Sequence, residues 1–177
     1  MATTLGDGIR LTIEKLQALN DGIPSVVLDG VTYTIKRWPV KYPPTLETQF
    51  LPCTLIFPQQ GVTVAYADTK QTQRDFKQIT YVDPTAQGKF DNPIQVSYLF
   101  LQRYLEMYLD LISSSQDNMI LDYGATRQYR IELLPYQTNM INDTGVVSDL
   151  KYTGDEPLYF GFEFTVKAQI EWVKDCD

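Results

Sequence analysis

The sequence predicts an α+β fold, a mainly antiparallel twisted β-sheet with two helices packed on one face. Three observations lead there. From Tyr159 to Val173, Phe160, Phe162, Phe164, Val166, Ala168, Ile170 and Trp172 alternate with Gly161, Glu163, Thr165, Lys167, Gln169 and Glu171, the period of a strand with one buried and one wet face. Such alternation belongs to an antiparallel sheet with helices on a single side. Second, two stretches carry apolar residues at helical spacing, around Ile13 and around Leu105. Third, the 12 tyrosines and 8 phenylalanines among 177 residues favour sheet elsewhere. A chain of this length buries roughly two thirds of its unfolded surface, so one domain spanning 1–177 needs no disulfide or metal to fold.

The first helix is marked by Leu5, Ile9, Ile13 and Leu16, entered at Thr3 or Thr4 and stopped by Asn20, Asp21 and Gly22. Gly6 and Gly8 weaken its first turns by roughly 1 kcal/mol each relative to alanine, which predicts a later start. Two β runs then flank Asp29-Gly30, a dipeptide suited to a tight hairpin. KYPPTLETQFLP holds three prolines, which cannot donate to a ladder, so it reads as a loop or an edge excursion. CTLIF and VTVAYA, separated by Pro58 to Gly61, read as an antiparallel pair, and QRDFKQITYV completes the meander.

The stretch FKQITYVDPTAQGKFDNP leads from that strand into a second helix. Asn92 is its cap, Pro93 suits the first helical position, and Gln95 stands where a capping box wants it. Ile94, Tyr98, Leu101, Leu105, Tyr108, Leu109 and Ile112 mark the apolar stripe that covers the sheet, with its tyrosines read as core. TRQYRIELLPY is a further strand. After it, QTNMINDTGVVSDLKYTGDEP reads as a long loop with room for one short strand, the natural place for a contact outside the monomer. The final strand would span on the order of 45 Å, so it either bends or projects past its own sheet.

The residues exclude several chemistries. Fifteen basic against 22 acidic residues give a net charge of −7, unsuited to an electrostatic grip on nucleic acid or anionic membrane. Gly88-Lys89 is not a phosphate-binding loop: Asp83 replaces the required upstream glycine and Phe90 the hydroxyl residue. The chain has no histidine, which removes histidine triads and the usual zinc nitrogen ligand. Cys53 and Cys176 read as reduced thiols, Cys53 as a small buried hydrophobe. Gly145 has Met140 where a calcium loop wants aspartate. No metal site and no cofactor site is expected. Ser113 to Ser115 read as a helix end, with no serine elbow. With no signal peptide at the N-terminus and no long apolar run, the chain is expected to stay in the cytosol.

Two alternatives stay open. One is a module whose sheet and aromatic helix enclose a small apolar ligand or a sugar. The other is a carboxylate-dependent hydrolase, which needs two converging acids with at least one strongly shifted pKa, whereas Glu163, Glu171, Asp143, Asp149, Asp155 and Glu156 read as solvated charge.

LPCTLIFPQQG, then QRDFKQITYVDPTAQGKFDNP leading into SYLFLQRYLEMYLDLI, and the closing YFGFEFTVKAQIEW together resemble the tail terminator and tail-completion (neck) proteins of tailed bacteriophages. The likeness lies in element order across most of the chain. The loops at 39–50 and 136–156 are longer than that pattern has. The resemblance implies a non-enzymatic virion protein, assembled in the host cytoplasm as a ring commonly of six copies. Such a ring ends tail-tube polymerisation, meets the tube protein on one side and the head connector on the other, and lets DNA pass its lumen without specific binding or membrane contact. Contacts are then expected on the Thr85 to Lys89 loop (Thr85, Gln87, Lys89), on the loop from Tyr136 to Glu156 (Tyr136, Asn139, Asp143, Asp155, Glu156), and at the far end of the last strand.

Overall fold

The computed structural model describes residues 5–28, 30–37, 42–66, 69–82, 93–114, 120–123, 128–133, 143–153 and 159–173. Helix α1 (Leu5–Asp21) includes both early glycines. It does not start late, because Ile13, Leu16 and Leu19 are buried against the sheet and this packing outweighs local propensity. Its C-terminal turn closes through Gly22 N–H to the Leu19 carbonyl at 3.1 Å and Ile23 N–H to the Asn20 carbonyl at 2.8 Å. Strands β1 (Ser25–Leu28) and β2 (Val31–Thr34) pair with Leu28 opposite Val31, leaving a two-residue turn whose Gly30 has φ of 77°. The hairpin lies over the helix layer, with the Tyr33 ring edge-on to Phe100 at 6.0 Å.

The main sheet runs in the order β3 (Lys36–Arg37), β4 (Cys53–Ala65), β5 (Thr69–Val82), β9 (Tyr159–Val173), β7 (Gln128–Leu133), β6 (Ile120–Tyr123). It is antiparallel apart from the short β3–β4 pairing. The short β8 (Val147–Leu150) shares one edge of β9 with β7, end to end. The last strand does not project past its sheet, since β5 pairs with it from Phe160 to Val173. Strand β6 has no counterpart in the sequence reading.

CTLIF and VTVAYA are not partners of each other. Both belong to β4 and both pair with β5, which turns back after Tyr66. Between Pro58, opposite Phe76, and Gly61, opposite Arg74, β4 has two residues where β5 has one, a β-bulge. PQQG mimics a turn in the sequence, but the ladder runs straight through it.

Helix α2 (Pro93–Ser114) buries Phe100, Leu101, Tyr104 and Tyr108. The stripe is rotated from the expected one: Tyr98 is 59 % exposed and Leu109 39 %, while Phe100 and Tyr104 take the core positions. The capping residue Asn92 and the side chains of Ile94 and Ile112 lie outside the described residues. Tyr104 and Tyr108 stack at 6.3 Å, and Tyr108 meets Phe164 at 5.2 Å, so these two tyrosines are core, whereas Tyr98 is not.

Both helices cover one face of the sheet, as expected, yet the opposite face is not uniformly wet. Leu46, Cys53, Leu55, Ile79, Tyr81 and Tyr159 form a second core there. The proline-rich segment reaches over it: Tyr159 OH donates to the Leu46 carbonyl at 2.7 Å and Tyr152 OH to the Pro43 carbonyl at 2.5 Å. Among the described residues no helix is long and apolar enough to cross a membrane.

Candidate interaction surface

Two concentrations of side chains compete for attention, one buried and polar, the other exposed and largely apolar. The buried one joins α1, α2, β4 and β5. Asn20 Nδ2 donates to the Leu16 carbonyl and to Gln78 Oε1, both at 2.8 Å, and Gln78 Nε2 donates to Tyr108 OH at 2.9 Å. Tyr104 OH donates to Asn20 Oδ1 and accepts from Thr54 Oγ1 at 3.5 Å, and Thr54 and Thr80 share a 3.0 Å bond. Arg37 closes the rim on the Ile23 carbonyl and 4.0 Å from Asp21. The network satisfies buried groups and locks both helices to the sheet. Its one carboxylate, Asp21, is exposed at the rim beside Arg37, and the groups inside are neutral amides and hydroxyls.

Burial pushes the Tyr104 hydroxyl up to about 12, with Thr54 and Arg37 pulling the other way, and raises Tyr81 and Tyr108 as well. The Cys53 thiol is pushed up to about 12 by the same cause. These groups hold their protons more tightly folded than unfolded. The tyrosine contribution is therefore complete below the unfolded value near 10 and is lost as pH rises above it, and the smaller Cys53 contribution is lost from the unfolded thiol value near 9 upward. We expect the urea midpoint to hold steady from pH 7 to 9 and to fall steeply by pH 11, by about 1.4 kcal/mol per buried tyrosine for each pH unit above 10. A midpoint unchanged at pH 11 would show that these hydroxyls ionise without unfolding.

The exposed concentration is on the face away from the helices and along the β4 edge. Before the bulge Leu55 and Phe57 point to that face; the extra residue reverses the parity, so Val62, Val64 and Tyr66 point there beyond it. These three side chains are 70 %, 45 % and 61 % exposed. The bulge is held by Arg74, whose guanidinium donates to the Gln59 carbonyl, and by Gly61, where a Cβ would sit 2.7 Å from the Gln73 carbonyl oxygen. Cys53 to Ala67 contains no charged residue. Among the described residues no strand pairs with the outer edge of β4 beyond Thr54, where the Tyr42 hydroxyl donates to the Ile56 carbonyl. Folded proteins ordinarily blunt such edges with charge, proline or a covering segment; from Val62 to Tyr66 this one has no charge or proline.

Beside the bulge a shallow groove of about 380 Å³ is lined by Phe57, Lys77, Tyr81, Lys151 and Tyr152. Tyr81 OH donates to the Lys151 carbonyl at 3.1 Å, and Lys77 is paired with Glu163 at 2.8 Å. Lys167 and Asp75 lie 3.9 Å apart further along. Among the described residues here, each carboxylate faces a lysine, Glu163 with Lys77 and Asp75 with Lys167.

Of the expected contact residues, Thr85, Gln87, Lys89, Tyr136, Asn139, Asp155 and Glu156 lie outside the described residues, as does the loop carrying Gly88-Lys89. Asp143 is exposed and local in its bonding: its Oδ1 accepts from Gly145 N–H at 2.7 Å and its backbone bridges to Phe164. The stretch that follows is tied to the sheet, with Thr144 N–H on the Glu163 carbonyl at 2.9 Å and β8 on β9. The β4 stripe went unread in the sequence, although a charge-free run whose alternation changes phase at PQQG carries the signal. No protein-family profile matches the chain, and no curated protein matches it.

Proposed function

We propose that the chain is a structural virion protein of the tail terminator and neck type. It assembles as a homo-oligomeric ring on the end of a phage tail tube, ends tube polymerisation and joins the tail to the head connector. The observation that carries the reading is the charge-free β4 edge, unpaired among the described residues, with Val62, Val64 and Tyr66 exposed beside it, a surface suited to adding strands. The order of helix, meander, helix and late strands supports it, and a net charge of −7 suits a channel through which DNA slides without sticking.

Native mass measurement and negative-stain imaging of the purified protein test this reading, with tube protein then added. We expect a ring of discrete mass that binds tube ends and halts their growth. A strict monomer at high concentration that leaves tube growth untouched would end it. The groove of Phe57, Tyr81, Tyr152 and Lys151 favours one other reading, a small-ligand or sugar-binding module. That module would be a monomer whose melting temperature rises with a saccharide.

A further inference from the structure

The sheet has two outer edges, and the strand registers relate them. Val62 is opposite Gln73, Gln73 opposite Gln169, Gln169 opposite Glu132, and Glu132 opposite Ile120. The same path links Thr63 to Leu121, Val64 to Asp122 and Ala65 to Tyr123. The free half of β4 and the whole of β6 thus occupy the same rows of a five-stranded segment, one at each margin. Each neighbouring pair in that segment is antiparallel, so β4, β9 and β6 run one way and β5 and β7 the other. Among the described residues, neither outer edge is paired over these rows.

We propose that β4 of one copy pairs in parallel with β6 of the next, joining the sheets head to tail. This deepens the ring reading and rests on it. An interface between unlike patches leaves each copy one donor edge and one acceptor edge, so it propagates until it closes. Closure requires that successive copies not climb along the ring axis. Because both edges lie in the same rows, β6 of the next copy can lie along the unpaired half of β4, and the strand tilt and register stagger of the joined sheets set how many copies close the ring. Charge selects the same strips. Copies carrying −7 repel one another, yet Val62 to Ala65 and Ile120 to Tyr123 together contain one charged residue, Asp122. A strand laid beside β4 also shields the flank of Val62 and Val64.

The test is cross-linking between separately made variants. Val64→Cys and Asp122→Cys are each placed in a Cys176→Ser background, in which Cys53 is buried and its thiol held protonated. They are mixed, allowed to exchange, and treated with a short bis-maleimide. We expect the mixed Val64→Cys to Asp122→Cys product at least tenfold over either self-linked product. The double variant should give a ladder that ends in one closed species. Predominant linking of Val64→Cys to itself would show two β4 edges facing each other and overturn the proposal, as would no linking at all. Thr63→Cys with Leu121→Cys repeats the measurement one row away should either first variant fold poorly. Mixed linking without arrest of tube growth would keep this pairing and remove the tail role. Arrest of tube growth with no mixed linking would do the reverse.

Discussion

Val62→Lys combined with Val64→Lys will leave the protein folded and abolish the proposed ring assembly. Val62 is mostly exposed and Val64 nearly half exposed in the single chain, so the monomer loses little burial and its stability should change by about 0.5 kcal/mol or less. An incoming strand, however, would have to desolvate two ammonium groups at the edge where it docks, the device by which natural sheets protect their margins. We expect association to weaken at least 100-fold, about 2.7 kcal/mol or more. Each lysine also makes the chain less acidic than its net charge of −7, so general repulsion falls and cannot be the cause of lost assembly. Val27→Lys, at a side chain 59 % exposed on the separate β1–β2 hairpin, is the control and should assemble normally. Sedimentation velocity over a concentration series reads the result. A double-lysine protein that assembles as tightly as the parent would remove the β4 edge from the interface.

The largest effect on stability is expected from Gly161→Val. Gly161 is held between β5 and β8, opposite Tyr81 on one side and Val147 on the other. A Cβ added there would stand 2.1 Å from the Thr80 carbonyl oxygen and 2.8 Å from Leu150 Cδ1. The first obstacle is backbone in a strand paired on both sides, so relief requires the ladder itself to shift. Overpacking of this kind costs about 3 kcal/mol or more, which for a chain of this size lowers Tm by roughly 10 °C. Gly161→Ala should move in the same direction, because the clash is with Cβ. Thermal unfolding followed by circular dichroism measures both, and an unchanged Tm would mean that β5 and β8 do not clamp this strand.

Gly161 also shows where local pattern stops being informative. Alternation places it on the face away from the helices, and it is there. That this part of the face is covered depends on Leu46, Leu150 and Tyr152 arriving from distant segments, and no period near Gly161 encodes their arrival. Tyr104 is a similar case. The apolar repeat finds α2, but the buried side of the helix is set by Asn20 and Thr54, which offer partners to its hydroxyl. An apolar count passes over such a position because its stabilising contacts are polar.

The sequence by itself determined the α+β class, the Asp29-Gly30 hairpin, both helices and the full extent of β9, since each is written in spacing between near neighbours. Asparagine, proline and glycine at the ends add stop and start signals that act within a turn. Only the tertiary structure decided that CTLIF and VTVAYA are one bent strand, that Val62, Val64 and Tyr66 face outward together, and that β4 and β6 share rows at opposite margins. The physical reason is that register across five strands is fixed by pairings between residues far apart in the chain. One extra residue at Gln59-Gln60 reverses every side chain beyond it, and that reversal becomes visible only when β5 lies alongside.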